Sequence, residues 1–300
     1  MGLDLMLSSK ASEKRLWITL AVSLLIVILE VVGGLLGQSL ALLGDSAHIL
    51  TDVVTVAIAI LTIRLGRRRH TSKRTFGYHR AEIFAALLNG STLIAVALFL
   101  IYQAFLRLLQ PPAVHAPLVL GIASLGLIGN LVTAGLLAPS RKTSLNVRGA
   151  FLHAVGDMVS SLAVIVSSLI IIITGINAID PFMALVIAVL IIRSAYGLVR
   201  DSTNILLEAT PRQFKLEEIA KTIQSVSGVK SVHDLHLWTI TSGLYALSGH
   251  LVVETESVDQ GSEVVADVAR RLREIFGIEH VTLQIEKESL QRIQPEDTKI

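Results

Sequence analysis

Residues 40–64 read LALLGDSAHILTDVVTVAIAILTIR, an apolar stretch that nevertheless contains one histidine and two carboxylates. A hydrocarbon core about 30 Å thick requires about 20 mostly apolar residues for each crossing helix. Working outward from this stretch, five more segments meet that requirement. The six predicted spans lie near 16–37, 40–64, 82–107, 117–138, 146–173 and 178–199. The sequence therefore predicts a membrane protein with an all-α six-helix bundle.

The composition agrees with a membrane protein and excludes several other classes. Of 300 residues, 52% are hydrophobic and 17% are charged, whereas soluble domains carry about 25% charged residues. The formal net charge of +2 is too small to indicate nucleic-acid binding. The chain contains no cysteine, which excludes disulfides, thiolate metal sites and cysteine nucleophiles. Any metal chemistry must therefore use His, Asp and Glu.

Lysine and arginine cluster beside alternate connections between the spans. Such residues favour the cytoplasmic side of a membrane, whereas the opposite loops contain only Arg107 near their edge. Both termini are therefore predicted to be cytoplasmic. The residues of the basic side are Lys10, Lys14, Arg15, Arg64, Arg67, Arg68, Arg69, Lys73, Arg74, Arg80, Arg141, Lys142, Arg148 and Arg200.

After Arg200 the hydropathy falls, and the residue pattern becomes that of a small soluble domain. A helical pattern over 215–226 is followed by two strand patterns around a turn at Gly243, then by a second helix ending at Gly277 and a third strand. The order αββαβ predicts a small α+β domain. The predicted boundaries are a cytoplasmic N-terminal segment 1–15, a six-span domain 16–205, a cytoplasmic domain 206–288 and a disordered tail 289–300.

The pattern His-x-x-x-Asp occurs twice, as His48 to Asp52 in the second span and as His153 to Asp157 in the fifth. Helix residues four apart share a face, so each pair is half of a chelating site. Four imidazole and carboxylate ligands suit tetrahedral Zn²⁺. A charged residue at bilayer depth costs about 3 kcal/mol on insertion scales and usually marks an ion pathway. We therefore predict a metal transport site, with Asp45 either capping the second span or lying behind the ligands.

Several functions remain as alternatives to zinc transport. An intramembrane metalloenzyme would need an open coordination position and a general base, and the chain has no HExxH motif, so we expect no enzymatic activity. The same ligands would also bind Co²⁺, Ni²⁺, Cd²⁺, Fe²⁺ or Mn²⁺. A membrane metal sensor or a proton channel is the remaining alternative.

Three motifs together resemble the cation diffusion facilitator family, in its bacterial, zinc-transporting branch. They are SLALLGDSAHILTD at 39–52, FGYHRAE at 76–82 and HAVGD at 153–157. The resemblance implies homodimers in the lipid membrane that exchange metal for protons by alternating access, with Zn²⁺ as the transported ion. It also implies a metallochaperone-like fold for the cytoplasmic domain. The loop at 139–143 is short and lacks histidine, as in bacterial members, which favours the bacterial cytoplasmic membrane.

The resemblance also implies two sites near the cytoplasmic domain. His233, His250 and Glu286 match a regulatory zinc site, and the predicted strands would bring the two histidines side by side. Arg80 and Glu208 match charges that lock the spans to the soluble domain, although a solvated surface pair is the alternative. We expect His236 and His280 to be solvated.

Overall fold

The computed structural model describes the backbone of residues 2–66, 77–78, 80–138, 145–241, 243–255 and 257–286. Within these ranges it describes all side chains except those of residues 2–17, 19, 52, 55–66, 137 and 145–154. The predicted tail, 289–300, lies outside the described residues. The chain divides into two compact units, residues 1–63 with 86–199 and residues 64–85 with 200–300.

Six long helices correspond to the six predicted spans. The first helix begins at Gly2, well before the predicted start of its span at residue 16. Four of the helices are long and apolar enough to cross a membrane over their described residues, and the first two contribute shorter apolar stretches, 20–36 and 40–51. The helices are α1 (Gly2–Leu36), α2 (Leu40–Gly66), α3 (Arg80–Leu109), α4 (Ala116–Leu137), α5 (Leu145–Thr174) and α6 (Ile179–Leu206).

The interior of the first unit is built from aliphatic side chains contributed by five helices. Leu42, Leu100, Ala123, Val164 and Ile187 come from α2 to α6 in turn, and all are buried. The outward surface is also apolar, with large side chains such as those of Phe99 and Leu131 half or more exposed. Soluble proteins rarely expose apolar patches of this extent. The surface is that of an integral membrane protein.

The start of α2 shows that Asp45 is not its cap. The helix begins at Leu40, and the Oγ atom of Ser39 accepts a hydrogen bond from the Leu42 amide at 3.1 Å. Asp180 of α6 accepts bonds from the Leu40 amide at 2.7 Å and from Ser39 Oγ at 2.5 Å. Because Asp180 and Ser39 already satisfy the first amides of the helix, Asp45 falls in its second turn, where it is fully buried.

The second unit contains the αββαβ order predicted from the sequence. Its sheet has the order β1-β2-β3, with β1 antiparallel to β2 and β2 parallel to β3. The parallel pair is joined by a helix, as a parallel connection requires. The elements are α7 (Leu216–Gln224), β1 (Val229–Thr241), β2 (Leu244–Val253), α8 (Val258–Phe276) and β3 (His280–Glu286).

Both helices of this unit pack on the sheet around one apolar core. Ile219 of α7, Leu237 of β1, Leu251 of β2 and Leu272 of α8 are almost completely buried in it. Gly277 ends α8 in the left-handed conformation, with φ 69°, which a residue without a Cβ adopts at little cost. The predicted C-cap is confirmed.

Candidate metal centres

One residue of each His-x-x-x-Asp pair approaches the other pair across α2 and α5. His48 Nε2 lies 3.6 Å from Asp157 Oδ1, and the two side chains are only 18% and 7% exposed. Two ligand atoms bound to one tetrahedral Zn²⁺, each at about 2.1 Å, lie about 3.4 Å apart. The spacing therefore suits a divalent cation shared between the two helices.

The other two predicted ligands, Asp52 and His153, belong to α2 and α5. Each is four residues, about one helical turn, from the described member of its pair. Their side chains lie outside the described part of the chain. Their participation in the site stays a prediction.

Two further carboxylates are buried in this helical unit. Asp45 of α2 is fully buried, and its Oδ2 accepts a hydrogen bond from Ser161 Oγ of α5 at 3.0 Å. Glu30 of α1 is also fully buried, and neither of its oxygens makes a hydrogen bond. Glu30 is not among the residues predicted from the sequence. The sequence signal that could have identified Glu30 is a carboxylate inside an apolar span.

In the second unit, strand pairing brings the three predicted cytoplasmic ligands together. His233 of β1 is directly opposite His250 of β2, which is opposite Gln284 of β3. Because side chains two residues apart on a strand share a face, Glu286 lies on the face of Gln284. The Gln284 amide nitrogen donates to Glu286 Oε1 at 3.0 Å, which holds that carboxylate towards the histidines.

The resulting cluster has the donor atoms and spacing of a metal site. His233 Nε2 lies 3.2 Å from Glu286 Oε2, and His250 Nδ1 lies 3.1 Å from Glu286 Oε1. One ligand atom of each residue lies within 4.8 Å of the others. Neither ring nitrogen of the mostly buried His233 makes a hydrogen bond, which is uncommon for buried polar atoms. Two imidazoles and one carboxylate therefore fit a metal ion such as Zn²⁺.

Arg80 and Glu208 lie together in the second unit. Arg80 Nη2 donates to Glu208 Oε1 at 2.7 Å, and the two side chains are 43% and 57% exposed. Two residues after Arg80, Glu82 Oε2 accepts a hydrogen bond from Thr241 Oγ1 at 2.8 Å. The first turn of α3 is thus bonded both to the segment after α6 and to the end of β1.

Comparison with known proteins also matches the chain in two parts. Residues 16–207 match the cation efflux transmembrane domain, and residues 211–288 match the cytoplasmic domain of cation efflux proteins. The chain is 38% identical over 281 residues to the cadmium, cobalt and zinc/H(+)-K(+) antiporter of Bacillus subtilis, covering 93% of this chain and 90% of that protein. It is 41% identical over 275 residues to the metal cation efflux system protein CzcD of Cupriavidus metallidurans, covering 92% and 87%. It is 33% identical over 277 residues to the zinc transporter ZitB of Escherichia coli, covering 92% and 88%.

Proposed function

The chain belongs to the cation efflux family, the cation diffusion facilitators, and we propose that it exports Zn²⁺ from the cytoplasm in exchange for protons. The observation that carries the proposal is the buried approach of His48 to Asp157 at 3.6 Å between α2 and α5. Each of these residues belongs to a His-x-x-x-Asp pair, so Asp52 and His153 complete a four-ligand transport site. Zn²⁺ is the substrate of this site.

Proton exchange follows from the chemistry of the ligands. Zn²⁺ binds neutral imidazole and ionised carboxylate, so its arrival displaces protons from these groups, and their protonation releases it. Rocking of helices around a fixed site near the middle of the membrane opens the site to one side and then the other. One Zn²⁺ exchanges for about one or two protons on this basis.

Zinc is the substrate that the ligand set and the relatives support best. Two imidazoles and two carboxylates are a ligand set that suits tetrahedral Zn²⁺. The names of the relatives include zinc, but also cadmium and cobalt. Co²⁺, Cd²⁺, Fe²⁺ and Mn²⁺ are therefore the alternative substrates, and a membrane metal sensor or proton channel is the alternative function.

The assembly and location belong to the same proposal. The chain works as a homodimer in the bacterial cytoplasmic membrane, with both termini in the cytoplasm and no enzymatic activity. The placement of basic residues beside alternate connections supports the orientation, and the match to the cation efflux cytoplasmic domain supports the dimer. The six-span domain covers residues 16–205, and the cytoplasmic domain covers residues 206–288.

The cytoplasmic domain binds regulatory Zn²⁺ through His233, His250 and Glu286. The cluster of donor atoms within 4.8 Å of one another supports this assignment. The bound metal would supply a positive charge that links β1, β2 and β3. The Arg80–Glu208 ion pair locks the start of α3 to the segment after α6.

The transport proposal is tested by Zn²⁺ uptake into proteoliposomes with an imposed pH gradient. Asp157→Ala removes one buried ligand, and we expect a loss of at least tenfold in uptake. Asp259→Ala, which removes an exposed carboxylate of α8, is the matched control and should transport normally. Normal uptake by Asp157→Ala would refute the site, and uptake of another divalent ion but not Zn²⁺ would correct the substrate. The absence of uptake with every tested ion would favour the sensor or channel.

A further inference from the structure

The strand that carries His233 is irregular immediately after this residue. β1 pairs His233 with His250 and then His236 with Ser248. Two residues of β1 therefore stand opposite one residue of β2, which is the definition of a β-bulge. Asp234 is the first of the two, and its φ of 50° is in the left-handed region, where Asn and Asp are the side chains best tolerated.

The bulge turns the Asp234 carboxylate towards His250. In a regular strand the side chain of Asp234 would point to the face opposite that of His233. Instead, Asp234 Oδ2 lies 3.8 Å from His250 Nε2, and Asp234 Oδ1 lies 3.0 Å from His236 Nε2. The Asp234 side chain is 27% exposed, so much of its surface is removed from water. His236, on the solvent side, holds the carboxylate in place.

The two ring nitrogens of His250 consequently face different carboxylates. Nδ1 faces Glu286 at 3.1 Å within the ligand cluster, whereas Nε2 faces Asp234. Histidines that bind a metal through one nitrogen usually present the other N–H to a carboxylate, which fixes the tautomer and the ring orientation. A separation of 3.8 Å is longer than a hydrogen bond, so Asp234 acts through its charge. When a metal occupies the Nδ1 side beside Glu286, that charge favours the proton on Nε2.

We propose that Asp234 is a positioning residue of the cytoplasmic metal site. Its carboxylate keeps the His250 proton on Nε2 and leaves the Nδ1 lone pair for the metal. His236 holds the carboxylate from the other side. This inference rests on the proposed metal binding by His233, His250 and Glu286, and it assigns to Asp234 a role distinct from that of a ligand.

The test is a Zn²⁺ titration of the purified full chain in competition with a chromogenic chelator. All proteins carry Asp157→Ala, so that the membrane site is disabled. Asp234→Asn keeps the shape and the tolerance for a left-handed backbone but removes the charge. We expect its Kd for Zn²⁺ at the cytoplasmic site to rise about 10- to 100-fold, and the visible absorption spectrum of the Co²⁺-loaded protein to change. The Tm of the metal-free protein should stay unchanged.

Three further variants separate the possible causes. Asp234→Gly adopts the left-handed backbone without strain and should lose affinity as Asp234→Asn does, because both lack the charge. Asp259→Asn, a change of an exposed carboxylate on α8, should bind like the parent. His233→Ala removes a ligand and should abolish binding at this site.

The outcomes test the positioning role of Asp234 separately from the existence of the metal site. If His233→Ala loses binding but Asp234→Asn keeps the affinity and the Co²⁺ spectrum of the parent, the role of Asp234 is wrong and the site stands. If Asp234→Asn loses affinity only together with its metal-free stability, and Asp234→Gly binds normally, Asp234 merely supports the bulge. If His233→Ala binds like the parent, the site and the inference both fail.

Discussion

At the scale of single residues, two serines of α5 have different partners although both are buried. Ser161 Oγ donates to Asp45 Oδ2 of α2 at 3.0 Å, whereas Ser168 Oγ donates to the Val164 carbonyl of its own helix at 2.9 Å. The first bond joins α2 to α5 and provides a hydrogen-bond donor for a fully buried carboxylate. The second returns to a carbonyl within the same helix. The two serines therefore allow one substitution to be compared in two settings.

We predict that Ser161→Ala destabilises the protein more than Ser168→Ala. Removing the Ser161 hydroxyl takes a donor from the fully buried Asp45 carboxylate, and leaving buried polar surface unsatisfied costs about 1–3 kcal/mol. Ser168→Ala only removes a bond to a carbonyl that the helix itself can satisfy. The measurement is the Tm of both variants in the same detergent. Equal Tm values for the two variants would contradict the importance of the Asp45 contact.

At the scale of elements, α1 and α4 contact through glycines. A Cβ added at Gly126 of α4 would lie 2.5 Å from Glu30 Oε1 of α1. A Cβ added at Gly121 of the same helix would meet nothing within 4 Å. Small residues allow membrane helices to approach closely. Of these two glycines, only Gly126 lies where α1 and its buried Glu30 come close.

Gly126→Ala is therefore expected to destabilise the helical unit, and Gly121→Ala is its matched control. Overpacking costs about 1–3 kcal/mol, because Glu30 must move within a buried environment. Gly121→Ala should be neutral or slightly stabilising, since alanine favours the helix. Thermal unfolding of both variants in detergent decides the question. A Tm for Gly126→Ala at or above that of Gly121→Ala would contradict the prediction and show that the Glu30 side chain moves aside at little cost.

At the scale of the whole molecule, the elements that depend on local pattern were predictable. Span length and hydropathy predicted six helices, the alternation of apolar residues predicted the αββαβ order, and Gly277 marked the end of α8. The start of α2 at residue 40 was predicted, but its capping partner was not, because Asp180, which bonds to Ser39, is 141 residues away in the sequence. The role of Asp234 depends on a bulge in the β1–β2 register, and periodicity alone does not show where a register shifts.

We propose that metal and protons exchange through the site that includes His48 and Asp157. The most direct measurement imposes a Zn²⁺ gradient on proteoliposomes that contain a pH-sensitive dye and have no initial pH gradient. Antiport predicts that the lumen becomes more alkaline as Zn²⁺ enters, because protons leave, and that Asp157→Ala shows neither flux. Zn²⁺ entry without a change in luminal pH, or an unchanged response in Asp157→Ala, would contradict proton-coupled transport through this site.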